Sequence, residues 1–199
     1  PGDTAFKHVM VREAIRKALP KVTAGTQLAL AAFGHRRSSD CTDFEVIQPL
    51  TPDTSRISAA IERFQPRGFS PVVQTLRAAA KALPQGPSGK ASLIVILDDL
   101  ASCRGEAPCK VAADLKRDNP ALNIHIVGLA LKPADAQVMA CVAKQTDGRL
   151  FDAQDGPAAS AAVEQALQLA SATLPAARAA ARPAAQVPAK ATAQPAPGP

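Results

Sequence analysis

The stretch LIVILDDLASCRGEAPC, residues 93–109, contains a continuous apolar run that ends in two carboxylates, Asp98 and Asp99. An apolar run of this length is typical of a strand that is buried on both faces, as in parallel sheets covered by helices. In open α/β sheets, ligands bind at the carboxyl ends of such strands. Asp98 is therefore the first candidate for a functional residue.

A second candidate lies in the segment GFSP, residues 68–71, which precedes a predicted helix. The Ser70 hydroxyl is expected to reach the same edge of the sheet as the Asp98 carboxylate. Carboxylate and hydroxyl oxygens are typical ligands of a hard cation such as Mg²⁺. Each residue also has a structural interpretation, because Ser70 is a suitable cap for the helix that begins near residue 72 and Asp98 is suited to a solvated turn.

Helical and strand patterns alternate along most of the chain. The predicted helices cover residues 4–19, 54–64, 72–83, 108–117, 134–144 and 158–174. The predicted strands cover residues 26–33, 43–47, 92–97, 122–129 and 149–151. This alternation predicts an α/β fold with a doubly wound, mostly parallel sheet and helices on both faces. Strand 43–47 is expected to be an antiparallel edge strand, because the short connection before it reverses the chain.

Residues 175–199 are almost entirely Ala and Pro, which predicts a disordered tail or linker after a single domain over residues 1–174. The formal charge of the chain is +6, and Arg178, Arg182 and Lys190 of the tail supply half of it. The remaining charge is too small and too scattered for a nucleic-acid face, and aromatic residues for base stacking are scarce. No apolar run is long enough to span a bilayer.

Several segments, taken in order, resemble a von Willebrand factor type A (vWA) domain over about residues 4–170. They are GTQLALAAFGHRRSSDCTDFEVIQPL, PRGFSPVVQTLRAAAKAL, LIVILDDLASCRGEAPC, IHIVGLAL and ACVAKQTDGRLFDAQD. The chain is most similar to the bacterial exported branch, which carries a Gly-His-Arg-Arg loop followed by an Asp-Cys pair. The resemblance implies a domain of the doubly wound fold that binds a protein or peptide partner.

In the vWA family, a metal-ion-dependent adhesion site is built from an Asp-x-Ser-x-Ser motif after the first strand, a Thr in a Gly-x-Thr-Pro loop and an Asp that ends the fourth strand. The resemblance places Ser70 at the Thr position and Asp98 at the Asp position, with Asp99 in place of the usual Gly. No Asp-x-Ser-x-Ser occurs in the 199 residues, so the central first strand is expected to be absent from them and the metal site to be incomplete. We expect Mg²⁺ or Mn²⁺ in the intact protein and no cofactor in this chain.

The missing strand leaves two possible arrangements of the sheet. Either a gap separates strands 26–33 and 92–97, or these two strands pair directly.

The loop that follows strand 26–33 contains His35, Arg36 and Arg37, which with Asp99 are the candidates for partner binding. The basic trio is suited to an acidic side chain of a protein or peptide partner. Its other interpretation is a solvated loop without a binding role.

Four cysteines occur at positions 41, 103, 109 and 141, without the Cys-x-x-Cys spacing of a zinc site. The five-residue loop between Cys103 and Cys109 is short enough for a local disulfide, which is the leading expectation. Whether Cys41 and Cys141 also pair stays open, since four cysteines allow three pairings. The resemblance to exported proteins and the Ala/Pro-rich tail point to an oxidising compartment, the periplasm or cell envelope.

The leading functional hypothesis is therefore an adhesion-type module of the bacterial cell envelope that binds a protein or peptide, with a divalent metal in the intact protein. The alternative is a structural or regulatory envelope component that no longer binds metal. A metal-dependent hydrolase is a third and weaker hypothesis, because no nucleophile or general base is recognisable, and we expect no enzymatic activity. The oligomeric state and the identity of the partner do not follow from the sequence.

Overall fold

A computed structural model describes residues 3–83, 91–100, 103 and 105–172, with the backbone alone described for residues 3–5. Six α-helices and five strands alternate in this part of the chain. They are α1 (Asp3–Ala18), β1 (Leu28–Phe33), β2 (Phe44–Thr51), α2 (Thr54–Glu62), α3 (Val72–Ala82), β3 (Ser92–Leu97), α4 (Pro108–Asp118), β4 (Asn123–Leu129), α5 (Pro133–Gln145), β5 (Leu150–Ala153) and α6 (Gly156–Ala172). The predicted tail, residues 175–199, lies outside the described residues.

The largest sheet consists of β3, β4 and β5, which pair in that order and run parallel to one another. Strands β1 and β2 form a separate antiparallel ladder in which Phe33 lies opposite Phe44. The predicted α/β fold, with its parallel strands and antiparallel edge strand, is confirmed. Strand β2 extends beyond the predicted residues 43–47 and includes Pro49, which is tolerated because proline suits an edge strand that needs no donor on its free side.

Strand β1 pairs only with β2, and β3 pairs only with β4, within the part of the chain that the structure describes. Of the two arrangements that the sequence allows, a gap between β1 and β3 is therefore the observed one. The two ladders are joined by loops and helices rather than by a shared row of backbone hydrogen bonds.

Helices cover both faces of the parallel sheet, because the strands carry apolar residues on both sides. In β3, Val95 and Leu97 belong to the core shared with α3, α4 and α5, whereas Ile94 and Ile96 pack towards α1 and α6. This alternation is the two-residue period of a strand. The contact between α1 and α6 is rich in buried alanines, which allow the helices to approach closely: Ala14, Ala18, Ala159, Ala162 and Ala166.

No helix in the described ranges combines the length and the apolar character needed to cross a bilayer. With the core filled by the strands and helices, the polar residues singled out in the sequence lie in the loops. The loops after β1 and after β3, and the segment before α3, therefore supply the candidate site.

Candidate functional site

The loop after β1 and the segment before α3 are joined through Gly34, the residue that follows β1. Its N–H donates to the Asp43 carbonyl over 3.0 Å, and its carbonyl accepts from the N–H groups of Arg67 at 2.9 Å and Gly68 at 2.8 Å. Gly34 has φ of 58°, a conformation that favours glycine. A Cβ at this position would also collide with the carbonyl oxygen of Phe69. The loop after β1 and the segment before α3 are thus fixed against each other by their backbones.

A disulfide brings the third loop to the same place. Cys41, in the loop after β1, is bonded to Cys103, in the loop after β3, with 5.8 Å between their Cα atoms. The three loops that carry the predicted site residues therefore meet at one edge of the molecule. We refer to this edge, formed by residues 34–43, 63–71, 98–100 and 103, as the loop edge.

Asp98 lies directly after β3 on the loop edge, with its side chain 32% exposed. Its Oδ2 is 3.4 Å from Nζ of Lys7, a residue of α1. The carboxylate that the sequence singled out is therefore already compensated by a cation of the protein itself.

Two other predicted site residues lie on the loop edge: Asp99 directly follows Asp98, and Ser70 lies before α3. The N-cap of α3 is Pro71, and no side-chain hydrogen bond caps this helix, so the interpretation of Ser70 as a helix cap is not observed. The Ser70 carbonyl instead accepts from the Val72 N–H at 2.9 Å. One carboxylate oxygen of Asp99 is buried and has no hydrogen-bond partner among the described residues.

The loop after β1 is organised by Asp43, whose side chain is fully buried. Its Oδ2 accepts from the backbone N–H groups of Arg36 at 2.7 Å and Arg37 at 3.1 Å, and its Oδ1 accepts from Nε of Arg36 at 2.8 Å. Burial raises the pKa of Asp43, but these hydrogen bonds together outweigh burial and lower its pKa to about 2. Asp43 is thus an ionised structural residue that the sequence analysis did not single out.

The three basic residues predicted to bind a partner already contact acidic residues of the same loop or of β2. Arg36 pairs with Asp43, and Nη1 of Arg37 lies 3.0 Å from Oδ2 of Asp40. Nε2 of His35 lies 3.0 Å from Oε2 of Glu45. The charges of Arg36 and Arg37 are therefore compensated within the loop, and Arg36 has a structural role.

A groove of about 460 Å³ opens beside the trio. It is lined by His35, Arg36, Arg63, Gln65 and Arg67. Arg63 and Arg67 are exposed and form no ion pair within the described parts of the chain. The sequence analysis missed Arg63, Gln65 and Arg67, although polar residues at every second position beside a candidate loop are a signal that was available.

The predicted local disulfide between Cys103 and Cys109 is wrong. Cys103 reaches back to Cys41, while Cys109, in the first turn of α4, is bonded to Cys141 of α5. The helix that begins at Pro108 turns Cys109 towards the neighbouring helix, since α4 and α5 pack side by side. Cys103 is therefore bonded to the loop after β1, whereas Cys109 is bonded to α5.

Comparison with known proteins gives similarity at the level of structure. No protein-family model and no curated protein sequence matches the chain. A von Willebrand factor type A protein from Catenulispora acidiphila superposes with a TM-score of 0.64 at 18% identity, covering 85% of this chain and 38% of that one. The chain has a vWA fold.

Two further solved structures share this vWA fold. Proximal thread matrix protein 1 from the mussel byssus, with a zinc-occupied adhesion-site motif, has a TM-score of 0.65 at 14% identity and covers 85% and 44% of the two chains. An aerotolerance-related membrane protein from Bacteroides fragilis has a TM-score of 0.61 at 12% identity, with 82% and 89% covered. The chain thus spans less than half of the first two proteins and most of the third.

The residues of this domain do not by themselves fit a divalent cation. No group of three or more His, Cys, Asp or Glu side chains that could hold a metal occurs among the described residues. Ser70 and Asp98 supply three oxygen ligands at most, and Asp98 faces the ammonium group of Lys7. Water can complete the ligand shell of a hard cation, but the one carboxylate that would anchor the cation here is already paired with a cation of the protein.

Proposed function

We propose that this vWA domain is a binding module of a bacterial cell envelope that recognises a protein or peptide through the loop edge. The observation that carries the proposal is the convergence of three loops at that edge, fixed by Gly34 and by the Cys41–Cys103 disulfide beside an open polar groove. Loops positioned by a rigid scaffold are the usual place for binding residues. A rigid surface also loses little conformational entropy when a partner binds.

The envelope location is supported by the two disulfides, which form and persist in oxidising compartments such as the periplasm. It is also supported by the fold shared with a bacterial membrane protein. We propose binding rather than catalysis, since Asp40, Asp43 and Asp98 are each paired with a cation, and the described residues of the loop edge offer no arrangement of nucleophile and base.

Metal dependence belongs to the proposal only for a form of the protein that also supplies the Asp-x-Ser-x-Ser ligands. There, Ser70 and Asp98 would contribute a hydroxyl and a carboxylate, and Mg²⁺ or Mn²⁺ would provide a positive centre for an acidic group of the partner. The second candidate, a structural or regulatory component without metal, is favoured by the Lys7–Asp98 pair.

Affinity capture followed by calorimetry tests the proposal. The disulfide-bonded chain is immobilised and exposed to envelope proteins, and each captured protein is purified and titrated against the chain with Mg²⁺ or with EDTA. We expect saturable binding of at least one protein, unchanged by EDTA because Lys7 already compensates Asp98. The absence of any saturable binding would contradict a binding module, whereas loss of binding in EDTA would show that the chain completes a metal site.

A further inference from the structure

The groove on the loop edge carries two arginines whose charges are not compensated. Arg63 and Arg67 are exposed, and neither has an acidic partner in the described residues. By contrast, the charge of the third arginine of the groove, Arg36, is neutralised by the buried Asp43. Its Nε also lies 3.5 Å from Oε2 of Glu45. In the described structure, the groove therefore contains one arginine whose charge is neutralised, Arg36, and two whose guanidinium groups have no acidic partner.

Residues 63–67, which include these arginines, are held in place by contacts on the side that faces the protein. Nη2 of Arg12, on α1, donates to the Phe64 carbonyl over 2.5 Å. The Phe64 ring packs near the rings of His8 and His35, with centroid separations of 6.3 and 5.9 Å. The Arg67 N–H is bonded to the Gly34 carbonyl. The backbone beneath the groove is thus fixed before any ligand arrives.

The alternation along this segment gives the groove its pattern. Arg63, Gln65 and Arg67 line the groove, whereas Phe64 contacts the rings on the protein side. Every second residue therefore presents a donor group to the groove: guanidinium, amide, guanidinium. An extended peptide also presents every second side chain on one face, at intervals of about 7 Å.

We infer that this groove binds an extended acidic segment of a protein, with carboxylates at alternate positions facing Arg63 and Arg67. The inference rests on the proposed protein-binding function and names the chemistry of the partner. Guanidinium groups bind carboxylates through paired hydrogen bonds whose geometry a lysine does not reproduce. Recognition is direct, through arginine, and requires no metal at Asp98.

The charge of the groove favours this ligand over a nucleic acid. Two uncompensated arginines match two carboxylates, whereas a nucleic-acid backbone requires a longer basic stripe and aromatic residues for stacking. Among the described residues that line the groove, the one aromatic ring is the imidazole of His35, and it packs against the Phe64 ring. A free anion would contact the arginines, but the alternation of Arg63, Gln65 and Arg67 would not increase its affinity.

A synthetic probe tests the inference. A fluorescein-labelled peptide of alternating Glu and Ser is titrated against the full chain by fluorescence anisotropy, beside a matched peptide of Gln and Ser. We expect binding of the Glu peptide that weakens as salt rises. The double variant Arg63→Gln/Arg67→Gln should bind the Glu peptide about tenfold or more weakly, because two charge-assisted contacts are lost.

The matched control is Lys132→Gln/Lys144→Gln, which removes the same charge from exposed positions on and beside α5, away from the groove. It should bind the Glu peptide like the unmodified chain, and thermal unfolding should show that both double variants are folded. Equal binding of the two peptides, equal losses in the two double variants, or tighter binding of a single-stranded oligonucleotide would overturn the inference. A captured protein that binds the Arg63→Gln/Arg67→Gln variant normally would overturn it too, while leaving the proposed function intact.

Discussion

At the scale of single residues, Asp43 determines the conformation of the loop after β1. Its carboxylate is buried and holds the backbone of Arg36 and Arg37 together with the Arg36 guanidinium. A buried carboxylate of this kind is stable only with such partners, since an unpaired buried charge is costly. The conformation of the loop, and therefore one wall of the groove, depends on this one ionised side chain.

The Asp43→Asn substitution is expected to lower the free energy of unfolding by about 2–4 kcal/mol at pH 7, because it leaves Arg36 without its charged partner. The folded-state pKa of Asp43 is about 2, below its ordinary value of 3.8. Its ionisation therefore contributes stability that is fully present above about pH 5, amounts to about 2 kcal/mol, and is lost as the pH falls through 2.

Urea unfolding of the two proteins between pH 3 and pH 7 measures this effect. The part of the stability difference that comes from the ionisation of Asp43 should be roughly half as large at pH 3 as at pH 7. Asp118→Asn, at an exposed position at the end of α4, is the control and should change stability by less than about 0.5 kcal/mol. A difference between Asp43→Asn and the unmodified chain that stays constant over this range would show that Asp43 is not held ionised by the fold.

At the scale of elements, the sequence predicts what is local and misses what is brought together by packing. The apolar run before Asp98 predicts β3 and the position of Asp98 at its end, because burial on both faces leaves a pattern within the strand itself. The pairing of Cys41 with Cys103 leaves no such pattern, since their separation of 62 residues is closed only by the fold. Arg63 and Arg67 alternate with Gln65, which is a local signal, but their position beside His35 and Arg36 follows only from the fold.

The disulfides are expected to differ in their contributions to stability. In the loop-entropy model, removing the Cys41–Cys103 bond, which spans 62 residues, costs about 4.3 kcal/mol, and removing Cys109–Cys141, which spans 32 residues, costs about 3.7 kcal/mol. The paired serine variants, compared by urea unfolding, should both be less stable, and Cys41→Ser/Cys103→Ser should also loosen the loop edge. Peptide mapping without reduction that recovers Cys103 bonded to Cys109 would refute this pairing.

At the scale of the whole molecule, the two sheets and six helices of the described structure form a scaffold on which three loops meet at one edge. Strands β1 and β3 share no hydrogen bonds in the described structure, so contacts outside the sheets hold the ladders together. One of these contacts lies at the loop edge: the Cys41–Cys103 bond, which joins the loop after β1 to the loop after β3. A partner that binds there would therefore contact both ladders at once.

Hydrogen–deuterium exchange, measured by mass spectrometry on the chain alone and with a captured and purified partner, tests the central claim that the loop edge is the binding surface. We expect slower exchange on binding in residues 34–43 and 63–71, with unchanged exchange in α5 as the internal reference. Protection confined to α5 or to the β5 side of the sheet, with no change in those two segments, would contradict it.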